Sequence, residues 1–205
     1  MSVNRAILAT CMIALVAGCS KPRAADPLIN EACEGNAQAC EQFVKGGLPV
    51  DVTDEGGVTA LDWAVFSCKP HVVQKLIELG ADVNHVDRQG FTPLMYTATP
   101  LRGHRLNGTQ EQRNLIAELL MEHGADVNRA MGDGHASGSA MTTLHFAVSD
   151  KNVDLVRMLL AAGANPNAKE SHGWTPLDVA KFPDFAPNGE VISELEKPKA
   201  PTTSR

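Results

Sequence analysis

The chain opens on an almost unbroken apolar run, Ala6 to Ala17, and then changes character. From there on, short clusters of aliphatic residues recur at helical spacing, each pair of clusters divided by polar residues and glycine. Leu61 with Ala64-Val65, Leu94 with Thr97-Ala98, and Leu144 with Ala147-Val148 predict one set of short helices. Val72-Val73 with Leu76-Ile77, Leu115-Ile116 with Leu119-Leu120, and Val156 with Leu159-Leu160 predict a second set. A threonine precedes each member of the first set, where its hydroxyl can cap the helix N-terminus, and a proline in the first turn loses no needed N–H. Gly80, Gly124 and Gly163 close the second set, where a left-handed residue ends a helix at little cost to glycine. Residues 198–205 are polar with two prolines and predict a disordered tail.

The two sets belong to one recurring unit. Gly57-Val-Thr-Ala-Leu, Gly90-Phe-Thr-Pro-Leu and Gly173-Trp-Thr-Pro-Leu repeat, with Met141-Thr-Thr-Leu-His as a copy lacking the glycine. Thr59 to Thr92 is 33 residues, as is Thr142 to Thr175, while Thr92 to Thr142 is 50, one period plus 17. The later half recurs as Gly80-Ala-Asp-Val-Asn84, Gly124-Ala-Asp-Val-Asn128 and Gly163-Ala-Asn-Pro-Asn167. These motifs resemble the ankyrin repeat, with T-P-L-H-x-A early and G-A-D-V-N late in a 33-residue unit. The resemblance is close over 57–180 and weak over 27–56. It implies an all-α fold, an ankyrin-repeat solenoid of stacked helix-turn-helix units with extended turns. One unit cannot bury its apolar face alone, so stacking supplies the core. About five units are expected over residues 27–197: a degenerate cap at 27–56, then 57–89, 90–139 with insertions, 140–172, and a second cap at 173–197.

The extra 17 residues fall in two places. About eleven lie between the helices of the third copy, within Thr99–Thr109, and about six in the following turn, within Arg129–Ser139. Such insertions either enlarge a partner surface or drift freely, since long surface loops cost little stability. By analogy with the family, the turns form a concave binding face beside the first helices. That places Asp87, Arg88, Gln89, Arg129, Met131, Asp133, His135 and His172 on it, with Asp62, Trp63, Phe66, Met95, Tyr96 and Phe146 alongside. Trp63, Tyr96 and Arg88 are residue types that anchor interfaces. Ordinary packing between copies is the competing reading for the aromatics, and the better one for Phe146.

The leader is a separate matter. The twelve residues from Ala6 to Ala17, apolar but for Thr10, are too few for a spanning helix, which needs about 20, and suit a signal peptide over 1–18. Val16-Ala17-Gly18-Cys19 resembles a bacterial lipobox, which implies lipidation of Cys19 and a tether over 19–26. A plain secretory leader would leave Cys19 incidental. If lipidated, Ser20 after the cysteine favours the outer membrane, and the short tether, extended at most about 25 Å, keeps the folded part close to it. Cys33 and Cys40 would then sit where disulfides persist. Their spacing allows a bridge across the turn of the first copy, or Cys40 simply fills a buried valine place. Cys68, where the repeat usually has glycine, is expected to be free.

Composition narrows function by exclusion. Aromatics are only 4%, so small aliphatic residues must form the core, as in closely packed short helices. Loss of Arg5 with the leader takes the net charge from −6 to −7, which repels phosphate backbones and argues against a nucleic-acid partner. The seven histidines form no H-E-x-x-H and the cysteines no paired C-x-x-C. His145 is the repeat's own histidine, and Gly134-His-Ala-Ser-Gly138 has the wrong spacing for a nucleophile elbow. No cofactor, metal or enzyme activity is expected. The expectation is a monomer, tethered by lipid on the periplasmic side of the envelope, that binds another protein. Ankyrin-type lipoproteins resemble periplasmic antidotes to secreted antibacterial effectors, lipases among them. The alternative is an envelope scaffold or stress-related accessory that supports a periplasmic enzyme or complex.

Overall fold

The computed structural model describes residues 26–99, 108–132, 139–182 and 188–197. Among these, ten helices alternate with extended turns: α1 (Pro27–Glu34), α2 (Ala37–Lys45), α3 (Ala60–Phe66), α4 (Pro70–Glu78), α5 (Pro93–Ala98), α6 (Gln110–Glu122), α7 (Thr143–Ser149), α8 (Val153–Ala161), α9 (Pro176–Lys181) and α10 (Gly189–Glu196). Consecutive helices pair within a copy. Odd-numbered helices pack on odd and even on even between copies, so the molecule is a two-layer solenoid.

Helices α3, α5 and α9 start for the reason their threonines predict, whereas Asp26 caps α1. The Thr59, Thr92 and Thr175 hydroxyls accept the N–H of the third helical residue, and Pro93 and Pro176 occupy the first turn. Leu61, Leu94 and Leu144 follow, at most 1% exposed, with Ala64, Ala98 and Ala147 wholly buried beside them. The alanines let paired helices approach, and each buried leucine contributes roughly 1.5–3 kcal/mol. Even helices end at Gly80, Gly124 and Gly163, all left-handed, with the following alanine N–H returning to the helix.

The Asn at the end of the first two closing motifs ties one copy to the next. Asn84 donates to the Gly124 carbonyl at 3.0 Å and accepts the Asp126 N–H at 2.8 Å. Asn128 does the same with Gly163 and Asn165, at 3.2 and 2.8 Å. Asp51 begins the series with an acceptor alone, toward the Asp82 N–H. At the far end, Arg157 of α8 reaches Glu190 and Glu194 of α10, docking the last helix despite its displacement in sequence.

The bridge between Cys33 and Cys40 is not formed. Cys33, Cys40 and Cys68 are all buried free thiols. Cys33 turns to the next copy and accepts the Ser67 hydroxyl at 3.3 Å, while Cys40 points at the Leu28 carbonyl. Burial pushes the Cys40 thiol up to about 11, which suits the valine-like role. Cys68 is left-handed, as the usual glycine would be. The leader, Cys19, most of the tether and the 198–205 tail lie outside the described residues.

Candidate protein-binding face

Three of the four extended turns between copies are each built around one acidic side chain. Asp54 Oδ1 accepts the Gly56 and Val58 N–H groups at 2.8 and 3.0 Å. Asp87 Oδ1 accepts those of Gln89 and Phe91 at 2.8 and 2.9 Å. Glu170 Oε1 accepts those of His172 and Trp174 at 2.8 and 3.2 Å. Each acid stands five residues before the helix-capping threonine, a regularity that was readable beforehand and that sequence reasoning missed for Asp54 and Glu170.

The other carboxylate oxygen holds the turn to the stack. Trp63 donates its indole N–H to Asp54 Oδ2 at 3.0 Å, and the Tyr96 hydroxyl donates to Asp87 Oδ2. Both aromatics stand nine residues after their acid and fold beneath the turn. In the last copy the His172 ring meets Glu170 Oε2 at 2.8 Å instead. Burial alone would raise Glu170, but the His172 side chain and the Trp174 and His172 amides outweigh it and hold the carboxyl below its usual range.

This geometry corrects six of the expected contact residues. Trp63, Phe66, Asp87, Met95, Tyr96 and Met131 are all buried and do not present their side chains to a partner. Trp63, Phe66, Met95 and Tyr96 lie on the side of the first helix that faces the turns, but the turn folds over that side, and Asp87 and Met131 belong to the turns themselves. The rings join into one row, from Trp63 through Phe66, Tyr96 and Phe91 to Phe146, with centroids 5.4 to 6.3 Å apart. Asp62 and Phe146 are buried as well, the latter as its packing reading has it.

Arg88, Gln89 and His172 are exposed at the turn tips, with Glu55 and Ser171 beside them, and Arg129 is half-buried. Arg88 donates to the Glu55 carbonyl at 2.6 Å, so adjacent tips are linked. Asp133 and His135 lie outside the described residues, but the base of their turn is defined. Met131 stands where other copies have the acid. Its N–H donates to the Met141 carbonyl at 2.7 Å, and Ala130 bridges Thr142. The Gly90 turn lies against this base so closely that a Cβ there would sit 2.7 Å from the Gly132 nitrogen. Ser171 N–H closes the other side on the Ser139 carbonyl. The described base of this turn is thus held between its neighbours.

Among the described residues no group of three metal-ligating side chains converges, and no helix is long and apolar enough to cross a membrane. The arrangement offers a row of exposed polar tips on a rigid base. Comparison with known proteins agrees with the architecture. A family model for ankyrin repeats in three copies matches residues 6–87 and 28–131, and one for ankyrin repeats in many copies matches residues 120–180. The chain is 33% identical over 159 residues to the B-cell lymphoma 3 protein homolog of Mus musculus, covering 75% of this chain and 32% of that protein. It is 32% identical over 185 residues to the mitochondrial disaggregase of Bos taurus, covering 89% of this chain and 24% of that protein. It is 38% identical over 80 residues to the potassium channel AKT1 of Arabidopsis thaliana, covering 38% of this chain and 9% of the channel. The chain spans about a third or less of each of these relatives.

Proposed function

The chain belongs to the ankyrin-repeat family, a family of protein–protein interaction modules, and from that premise we propose that it is a lipid-tethered periplasmic immunity protein. Its turn tips would cover the active site of a secreted antibacterial effector such as a lipase. The observation that carries the reading is the row Glu55, Arg88, Gln89, Ser171 and His172, exposed and polar above turns that carboxylates hold from within. A surface pre-organised in this way loses little entropy on binding, so contacts made there convert efficiently into affinity. Lipidation at Cys19 would keep the module beside the membrane on which such an effector acts. The net charge of −7 left by loss of the leader and its Arg5 would speed association with a basic partner.

The test is a pull-down with residues 20–205 as bait, against periplasmic extract and against secreted protein from competing cells, with mass spectrometry of what is retained. The reading expects a secreted hydrolase bound one to one that loses activity when bound. A resident envelope enzyme that stays active in the complex would replace the antidote with a scaffold.

A further inference from the structure

Asp62 occupies the place at which the fourth copy has His145 and the last copy Asp178. Locally, Asp62 and Asp178 are alike. Asp62 Oδ2 accepts the Thr59 N–H at 2.9 Å and its hydroxyl at 2.7 Å; Asp178 Oδ2 accepts those of Thr175 at the same distances. Their surroundings differ. Asp178 is exposed at the end of the stack, whereas Asp62 is 0% exposed, closed in by the following copy. Asp62 Oδ1 has no hydrogen-bond partner among the described residues. His145, similarly buried, meets the next copy with its second nitrogen, Nε2 donating to the Trp174 carbonyl at 3.2 Å.

An ionised carboxylate with one oxygen dry and unpartnered is strongly disfavoured, and a proton on that oxygen removes the charge. The charged and titratable groups around Asp62 do not supply a counter-charge in contact. His85 faces it from the following turn, its Nε2 already on the Gly57 carbonyl, and Asp87 opposes ionisation with its own charge. Helix α5 offers only Tyr96, whose hydroxyl is given to Asp87. Helix α1 brings the Cys33 thiol, held to Ser67, and Glu31 and Glu34, while α4 brings His71, Lys75 and Glu78; none of these last five is buried.

We propose that Asp62 is a proton-operated latch on the seam between the second and third copies: protonated on Oδ1 it keeps the seam closed, and release of that proton to solvent loosens it beneath the Arg88–Gln89 turn. The paired carboxyls fit this. Burial pushes Asp62 up to about 7, while the Thr175 hydrogen bonds hold the exposed Asp178 below the usual range. The sign follows. Folded Asp62 keeps its proton where the unfolded chain has lost it, so its stabilising contribution is complete below the unfolded value and disappears as pH rises through neutral.

The experiment compares denaturant unfolding of the full chain with Asp62→Asn and Asp178→Asn between pH 5 and 8. Relative to Asp62→Asn, the unfolding constant of the unsubstituted chain should rise by up to about tenfold per pH unit as far as neutral. Asp178→Asn should leave that rise in place. Hydrogen exchange at the Arg88 amide, which ties the turn above Asp62 to the Gly56 carbonyl, should quicken above neutral pH beyond its chemical rate, and not in Asp62→Asn. Carbon-detected titration of the unsubstituted chain gives a reading that needs no variant. An Asp62 carboxyl titrating near neutral supports the latch; one titrating near 4, or a pH slope unchanged in Asp62→Asn, overturns it.

Discussion

Tyr96 and Trp63 show how a side chain's chemistry outruns its periodicity. Both are interface-type residues on the correct side of the first helix, and both spend their polar atom on the acid of the preceding turn. Tyr96→Phe should therefore destabilise the fold by about 1–3 kcal/mol, since it leaves Asp87 Oδ2 buried without its donor. For a chain of this size that is a melting-temperature fall of roughly 2–12 °C, measurable by calorimetry. Arg88→Ala should leave melting within about 0.5 kcal/mol of the original, as an exposed tip does, and act on binding instead. His145 adds a pH dependence of its own. Burial holds it below the usual histidine value, so its stabilising contribution is present above the unfolded value and is lost as pH falls below it. His145→Gln should flatten the acid side of a stability-against-pH curve. The capping threonines and the core leucines were legible in the sequence because helix geometry alone specifies them. The burial of Trp63 and Tyr96 was not, because a helical period says which side a residue leaves and not what folds over it.

At the scale of elements, the copies are joined by few but repeated bonds. Asn128→Ala removes a donor and an acceptor between the third and fourth copies and should cost about 1–3 kcal/mol. Denaturant unfolding followed by circular dichroism would show it as a lower midpoint. Lys151 offers the opposite change. It is exposed and left-handed (φ 59°) at the turn after α7, the place that Gly35 fills in the first copy. Lys151→Gly should raise stability by roughly 0.5–1 kcal/mol, by relieving the Cβ strain of that conformation. A melting temperature unchanged or lowered would show that the turn tolerates lysine without strain. The helix pairs were readable from aliphatic spacing. The early start of α6 was carried by a different signal, the capping box Thr109 with Gln112, which places its first residue at Gln110, well before Leu115. An apolar pattern reports where a helix is buried and is silent on an exposed first turn.

For the whole molecule, the solenoid follows from repetition, and its two ends from changes in it. Asp51 opens the asparagine series with an acceptor alone, and Arg157 fastens a displaced last helix through Glu190 and Glu194. Between these ends the turn acids hold a line of exposed tips above the aromatic row, and the proposal is that a partner meets those tips. The central claim is that this line is the binding surface. Hydrogen exchange of the chain with and without its captured partner tests it most directly. The account predicts protection on binding at residues 55–58, 88–91, 129–132 and 171–174, with the outer helices α4, α6 and α8 unchanged. Protection confined to α6 around the exposed Leu115, with the tips exchanging as before, would contradict it.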